Sequence, residues 1–154
     1  MTRKYSHSDF VLRFGEGYRE KCLQHFVSSG FITGNEEISW LDPNHPDYTH
    51  RGSDANYPFW KVVNNNLLIV SIIPSESGTS PAHFHPHNVI EKYTCLVGQC
   101  DLWLDGKSRR LETGETFDVR PGIKHRVTTN GSWVILAIVM ENGGLYPSEQ
   151  LHRR

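Results

Sequence analysis

Residues 78–98 read GTSPAHFHPHNVIEKYTCLVG, and this stretch decides which fold and which chemistry we expect. It carries His83, His85 and His87 at alternate positions, with Glu91 a few residues further on. Alternate residues of a β-strand point to the same face, so two of these histidines can face one point together. Glu91 opens the segment that follows and can supply a carboxylate beside them.

A second stretch, GETFDVRPGIKH over residues 114–125, ends on His125 after a Pro-Gly turn. If the chain folds His125 back beside Glu91, three imidazoles and one carboxylate surround one point. This mixture of donors suits a first-row transition ion (iron, manganese, nickel, zinc or copper) and is a poor fit for calcium or magnesium. The spacing therefore predicts one divalent transition metal, and the residues leave its identity open.

Around both stretches the pattern is that of a β protein. FWKVV and LLIVSII flank the turn residues 64–66 and read as a hairpin, while Asp105-Gly106 and Asn130-Gly131 mark two further tight turns. The apolar run WVILAIVM, residues 133–140, reads as a strand. Short strands at regular spacing with turn residues between them predict an all-β barrel or sandwich.

The N-terminal part of the chain differs from the rest. EGYREKCLQHFVSS, residues 16–29, places apolar side chains near one face at helical spacing, and Gly30 is a plausible stop. Residues 35–58 are polar and punctuated by prolines, which predicts an irregular segment. We therefore divide the chain into an N-terminal helix and loop extension, residues 1–58, and a β-barrel domain, residues 59–154.

Residues 59–140 resemble the cupin superfamily, whose fold is a double-stranded β-helix, a small jelly-roll-like barrel around a metal-centred pocket. The family's first motif begins at a glycine, continues through paired histidines to a glutamate, and ends on a glycine after six more residues. Gly78, the clustered histidines, Glu91 and Gly98 answer to it.

The family's second motif follows in the right order along the chain. Gly114, Gly122, His125 and Asn130 answer to it, with Pro121 beside Gly122 instead of two positions before it. Together the two motifs imply an all-β cupin barrel that binds one metal through His83, His85, Glu91 and His125.

The first motif leaves two histidine pairs open. With His83 and His85 as the pair, five residues separate it from Glu91, which is more than the motif allows. With His85 and His87 as the pair, that distance is regular but the gap from the first glycine becomes six. We favour His83 and His85, because Pro86 cannot donate a ladder hydrogen bond and fits a turn that follows the pair.

The resemblance implies an enzyme that acts on a small polar metabolite by metal-assisted proton abstraction, as a lyase or isomerase does. Tyr93 lies two residues after Glu91 on the same face, where a phenol beside a divalent cation can have a lowered pKa and act as a general base. Some small lyases of the superfamily also place a tyrosine there. The same four ligands occur in Fe(II)-dependent cupin dioxygenases, and other cupins bind a small ligand without turnover, so both alternatives stay open.

Three further residues are candidates for substrate contact. His87 is expected at the rim of the pocket, and Trp103 and Phe117 could line the pocket or fill the core. A metal-bound imidazole needs an acceptor for its other nitrogen, and Asp118 or Asn130 could supply one.

Composition narrows the class of protein. The 154 residues carry a net charge of −1 from 16 basic and 17 acidic side chains. The sequence has no basic stripe of the kind that binds nucleic acid, so we do not expect a nucleic-acid partner. The start of the sequence lacks the apolar region of a signal peptide, and residues 133–140 are too short to span a bilayer. The three cysteines have no CxxC spacing, which favours reduced thiols in a cytoplasmic protein. Because cupin barrels often pair through their sheets, we expect a homodimer.

Overall fold

The computed structural model describes residues 4–49, 54–76, 82–83, 85–129, 131–147 and 151. Over these residues the chain forms two α-helices, α1 His7–Phe14 and α2 Tyr18–Ser28, followed by strands and one short 3-10 helix, Gly143–Leu145. The strands are β1 Asn56–Val63, β2 Asn66–Ile73, β3 Ile90–Val97, β4 Gln99–Leu104, β5 Lys107–Glu112, β6 Thr116–Val119, β7 His125–Thr128 and β8 Val134–Glu141.

The strands form two antiparallel sheets. The larger has the order β1-β2-β8-β3-β6 and the smaller the order β5-β4-β7. Inward side chains from both sheets pack into one core, in which Leu102 of the small sheet meets Leu136 and Ile138 of the large one. The predicted all-β, jelly-roll-like barrel with an N-terminal helical and loop extension is therefore confirmed.

Strands β2 and β8 of the larger sheet are buried on both faces. The inner face of this sheet lines the barrel, while its outer face packs against the N-terminal helices through Phe59, Leu68 and Val139. This explains why β8, VILAIVME, is an unbroken apolar run rather than an alternating one. The N-terminal extension is thus the cover of this sheet.

Two helices, not one, make that cover. The predicted helix over residues 16–29 is observed as α2, whose buried face carries Tyr18, Cys22 and Phe26. Helix α1 precedes it and begins with a capping box, in which Ser6 and Asp9 bond each other's backbone amides. Among the described residues, neither helix is long and apolar enough to cross a membrane. The division of the chain at residue 58 stays a prediction, and β1 begins at Asn56.

The tight turns follow their sequences. Asn64 and Asn65 both have positive φ, 50° and 67°, and join β1 to β2, as expected for the hairpin turn whose twist matches the strands. Asp105-Gly106 likewise joins β4 to β5. Both predicted hairpins are confirmed. Of the third predicted turn, Asn130 lies outside the described residues.

Gly98 joins β3 to β4 at a point where no side chain fits. Its φ is +83°, and a Cβ there would lie 2.3 Å from the backbone oxygen of Trp133. The glycine that ends the first motif therefore lets β3 turn tightly against the start of β8.

Candidate metal centre

Four side chains from separate parts of the chain meet inside the barrel. Glu91 is an inward-facing residue of β3, and His125 begins β7 on the other sheet. His83 is fixed beside His125 by two backbone hydrogen bonds of 3.0 and 2.8 Å, one in each direction. With His85, one ligand atom from each of the four residues lies within 4.8 Å of those of the other three, and all four residues are buried.

Two of the imidazoles are oriented so that their Nε2 atoms converge on the carboxylate. His85 Nε2 lies 3.0 Å and His125 Nε2 2.8 Å from Oε1 of Glu91. Their Nδ1 atoms lie 2.8 Å from the backbone carbonyls of Leu151 and Ile123, respectively. A carbonyl only accepts, so Nδ1 carries the hydrogen, and the neutral ring presents a lone pair on Nε2. That is the tautomer that binds a metal.

The electrostatics of the cluster favour a positive charge beside Glu91. Burial by itself disfavours the charged forms of both residues, but His85 and His125 hold the pKa of Glu91 well below its usual value. In the same way, burial opposes protonation of His85, and the charge of Glu91 outweighs it and raises the pKa of His85. A buried carboxylate surrounded by imidazoles therefore stays ionised and attracts a cation.

The donor set fits a divalent transition ion. Three imidazole nitrogens and one carboxylate oxygen suit iron, manganese, nickel, zinc or copper, as the sequence predicts. Calcium and magnesium prefer a shell of oxygens. A metal would be held by His83, His85, Glu91 and His125.

A small cavity adjoins this cluster. Its volume is about 30 Å³, which is room for a chemical group rather than a whole metabolite. His83 and Glu91 form its polar end, and the hydroxyl-bearing residues Tyr57, Ser71 and Tyr93 also line it. The rest of the wall is apolar and consists of Ala55, Ile69, Ile73, Val127, Leu136, Ile138 and Met140.

Tyr93 lies between the cluster and the cavity. Its side chain is 3% exposed. Burial, followed by the negative charge of Glu91, holds the pKa of Tyr93 well above its usual value. The sequence predicts a pKa lowered by a neighbouring cation, and the protein's own groups shift it in the opposite direction.

The other candidates from the sequence lie outside the cluster. His87 is exposed and does not belong to it, so of the two possible pairs the structure brings His83 and His85 together. Trp103 pairs with Ser108 and Arg126 on the outer face of the small sheet, with the Arg126 guanidinium 5.2 Å from its ring. The structure therefore does not bring Trp103 to the cavity.

Phe117 and Asp118 point in opposite directions from β6. Phe117 pairs with Tyr93 and packs against the barrel core, but its ring lies beneath the Arg109 guanidinium, 4.6 Å away, and does not line the cavity. Asp118 forms an ion pair of 3.1 Å with Lys92 on the outside. It therefore does not bond to the imidazoles, and Asn130, the other expected acceptor, lies outside the described residues.

The acceptors that the structure does show are the backbone carbonyls of Leu151 and Ile123. No side-chain pattern reveals a backbone carbonyl, so the sequence held no signal for them. Ser71 and Tyr57 of the cavity wall were also missed. Ser71 belongs to a segment that reads as a strand, whereas Tyr57 falls in residues 35–58, which were predicted to be irregular although β1 begins at Asn56.

A jelly-roll barrel with three buried histidines and a buried glutamate inside it defines the class: a β-barrel protein with a possible internal metal site. Residues 69–139 match the family model for the cupin domain. Over these residues the resemblance to the cupin superfamily that the two motifs predict is confirmed.

Solved structures show the same fold. The chain is similar to the cupin domain of Cnp3 from Schizosaccharomyces pombe, with 14% identity over 73% of this chain and 72% of that one and a TM-score of 0.51. It is similar to a Cupin 2 conserved barrel domain protein from Salinispora arenicola, with 18% identity over 75% of this chain and 92% of that one and a TM-score of 0.52.

An RmlC-like cupin from Shewanella frigidimarina is similar as well, with 15% identity over 70% of this chain and 86% of that one and a TM-score of 0.52. At these identities the likeness concerns the fold alone. A comparison with curated protein sequences found no match.

Proposed function

We propose that this cupin is a metal-dependent enzyme that moves a proton on a small molecule bound at its metal centre, as a lyase or isomerase does. The single observation that supports this most is the position of Tyr93. It lines the same cavity as His83 and Glu91. A proton-carrying group thus stands where a substrate on the metal would meet it.

The residues divide the work as follows. A divalent cation held by His83, His85, Glu91 and His125 would supply charge that polarises a carbonyl or carboxylate and acidifies the C–H bond beside it. Tyr93 exchanges the proton at its hydroxyl, since its side chain lines the same cavity as His83 and Glu91. The apolar walls exclude water, which strengthens these interactions.

The cavity also suggests what the substrate looks like. Its described lining contains no lysine or arginine, so the metal must meet any negative charge on the ligand. The wall away from His83 and Glu91 is largely apolar. We propose a small substrate of which a polar, metal-binding group and the compact apolar part next to it enter this cavity, which narrows the small polar metabolite expected from the sequence.

Proton transfer can be tested before the substrate is known. The protein, loaded with Zn²⁺, Mn²⁺, Ni²⁺ or Fe²⁺ in turn, is incubated in D₂O with a panel of small keto acids, hydroxy acids and aldehydes. Mass spectrometry then measures deuterium in the recovered compounds. We expect metal-dependent exchange at the carbon next to the metal-binding group of at least one compound.

Replacement of the tyrosine then identifies the proton carrier. Tyr93→Phe keeps the ring and removes the hydroxyl, so we expect exchange to fall by roughly 10²–10⁴-fold with metal content unchanged. Tyr18→Phe, whose hydroxyl bonds to His7 outside the barrel at 2.7 Å, is the matched control and should exchange normally. Full exchange by Tyr93→Phe would contradict this role.

An Fe(II)-dependent dioxygenase is the second candidate. The apolar wall favours it, because dioxygen is an apolar ligand. Oxygen uptake by the Fe²⁺-loaded protein with a compound that shows no deuterium exchange would establish this reading. Binding of a compound with neither exchange nor oxygen uptake would indicate a ligand-binding cupin.

A further inference from the structure

We propose that the C-terminal segment, here residues 142–147 together with Leu151, supports the metal centre, and that Leu151 acts as a positioning residue that aims His85 at the ion. This inference rests on the metal binding proposed above. It goes beyond that proposal because it gives a role in metal binding to Leu151, which lies 60 residues after Glu91 and outside both cupin motifs.

The contact that carries the proposal is a buried hydrogen bond. Nδ1 of His85 lies 2.8 Å from the backbone oxygen of Leu151. The carbonyl holds the hydrogen on Nδ1 and the lone pair on Nε2, and it also fixes the rotation of the ring. Both residues are buried, so water does not compete for this bond.

The position of that carbonyl is set by the side chain of Leu151. The side chain is fully buried and belongs to the barrel core. It packs beside Gly143, where a Cβ would lie 3.8 Å from Cδ1 of Leu151 and 2.7 Å from Cβ of Met140. The amide of Leu151 donates to the carbonyl of Pro147 at 3.1 Å. The segment is therefore anchored by its side chain and its backbone together.

The same segment holds the loop that carries His85 at a second point. Asn88, three residues after His85, has its backbone oxygen bonded by the side-chain amide of Asn142 at 2.9 Å. The hydroxyl of Tyr146 bonds to the side-chain oxygen of Asn88. Between His85 and β3 the chain forms a turn and no strand, so these bonds replace the support that a sheet would give.

His125 shows the contrast. Its Nδ1 bonds to the carbonyl of Ile123, only two residues away, and its backbone is paired with both His83 and Leu104. The orientation of the His125 ring is thus set by residues near it in the chain and by its strand pairing. The orientation of the His85 ring depends on a residue near the other end of the sequence. Loss of such a supporting partner typically costs about 10–100-fold in metal affinity.

The experiment measures binding of Zn²⁺ and Co²⁺ by Leu151→Ala. Zinc affinity is determined by competition with a chromophoric chelator, and the visible spectrum of the cobalt form reports the geometry of the ligands. We expect zinc affinity to fall by about 10–100-fold, cobalt bands to change, and zinc to dissociate faster. Leu151→Met keeps an apolar anchor and should restore the unchanged protein's affinity and spectrum.

Controls separate positioning from stability. Leu145→Ala alters an exposed residue of the same segment and should bind both metals as the unchanged protein does. Thermal unfolding without metal gives the loss of stability on its own. If Leu151→Ala melts at a lower temperature but keeps the cobalt spectrum and zinc affinity, Leu151 is only structural and the inference is overturned.

A milder variant decides the question if Leu151→Ala does not fold. Tyr146→Phe removes only the hydroxyl that bonds to Asn88, and a weaker zinc affinity with an altered cobalt spectrum would support the inference. An unchanged affinity and spectrum would overturn it. If the unchanged protein binds neither metal, the proposed function fails together with the inference, whereas normal binding by all variants defeats the inference alone.

Discussion

Alternate side chains divide the three clustered histidines between two environments. His83 and His85 are buried and place a ligand atom near Glu91, whereas His87 follows Pro86 in a turn and is exposed. In this stretch the direction in which the backbone points a histidine side chain, and not the residue type, decides whether it lies near Glu91. Three identical side chains within five residues have two different roles.

That division can be tested with a matched pair of variants. His83→Ala removes a buried ligand and should abolish stoichiometric binding of a divalent metal, while His87→Ala should keep it. Metal content of both variants, measured by mass spectrometry after loading and desalting, checks this prediction. Loss of metal from His87→Ala with retention in His83→Ala would show that the ligands are His85 and His87 instead.

At the scale of single elements, the β3–β4 turn is the most constrained. Gly98 and Gly106 both have positive φ, +83° and +91°, but only Gly98 would place a Cβ against backbone, 2.3 Å from the oxygen of Trp133. Gly106→Ala should cost about 1–2 kcal/mol, the strain of a left-handed residue alone. Gly98→Ala must also displace β8, so we expect a larger loss, about 3 kcal/mol or more.

Urea unfolding of the two alanine variants measures the difference. Because the strain is common to both, the excess loss in Gly98→Ala reports the clash with Trp133. Equal losses would mean that the turn moves aside at little cost.

Helix α2 gives a prediction about pH. Burial against the sheet raises the pKa of the Cys22 thiol from 9.0 to about 12. A group with a raised pKa contributes its full stability below pH 9 and loses it as the pH rises towards 12, because the unfolded chain ionises first. The loss is about 1.4 kcal/mol for each pH unit in that range.

Cys22→Ala should remove this part of the alkaline destabilisation. The measurement is urea unfolding at pH 8 and pH 10 for both proteins, since other groups that titrate in this range are common to the two. We expect the unchanged protein to lose about 1.4 kcal/mol more than Cys22→Ala between these pH values. Equal losses in the two proteins would contradict a buried, protonated thiol.

Elements with a local signal could be predicted from the sequence. The hairpins at Asn64-Asn65 and Asp105-Gly106 follow from residues that accept positive φ, and the apolar run of β8 follows from burial on both faces. Helix α1 has only eight residues, so its apolar periodicity is weak, yet the capping box of Ser6 and Asp9 was a signal that could have revealed it.

Two patterns in the sequence predict part of the candidate site: the alternation of side chains along a strand and the spacing of the two motifs. These bring His83, His85, Glu91 and His125 together, but they do not give the register between strands. Trp103 illustrates the limit: its outward direction follows from the pairing of its neighbour Leu104 with His125, which is a contact between distant segments. The hydrogen bond from His85 to Leu151 joins residues that are 66 positions apart and uses a backbone oxygen, so no pattern of side chains in the sequence predicts it.

At the scale of the whole molecule, the centre joins both sheets. Glu91 belongs to the larger sheet and His125 to the smaller one, and no described strand of one sheet pairs in a ladder with a strand of the other. Pairing of two copies through their sheets stays a prediction.

Metal removal should therefore lower the stability of the entire barrel. A ligand that binds only the folded state, at a free concentration 1,000 times its Kd, stabilises it by about 4 kcal/mol. For a domain of this size we expect chelation to lower Tm by roughly 10 °C. Differential scanning calorimetry with and without chelator checks this, and His125→Ala, lacking a ligand, should show no response to the chelator.

The placement of Glu91 and His125 on opposite sheets also has a mechanical consequence. A force that pulls the sheets apart is resisted by side-chain packing, and His125 Nε2 lies 2.8 Å from Oε1 of Glu91 across the cluster. Coordinate bonds to a shared ion would carry that load through a short, stiff link between β3 and β7. The loaded barrel would then resist shear most strongly at the end that carries this link.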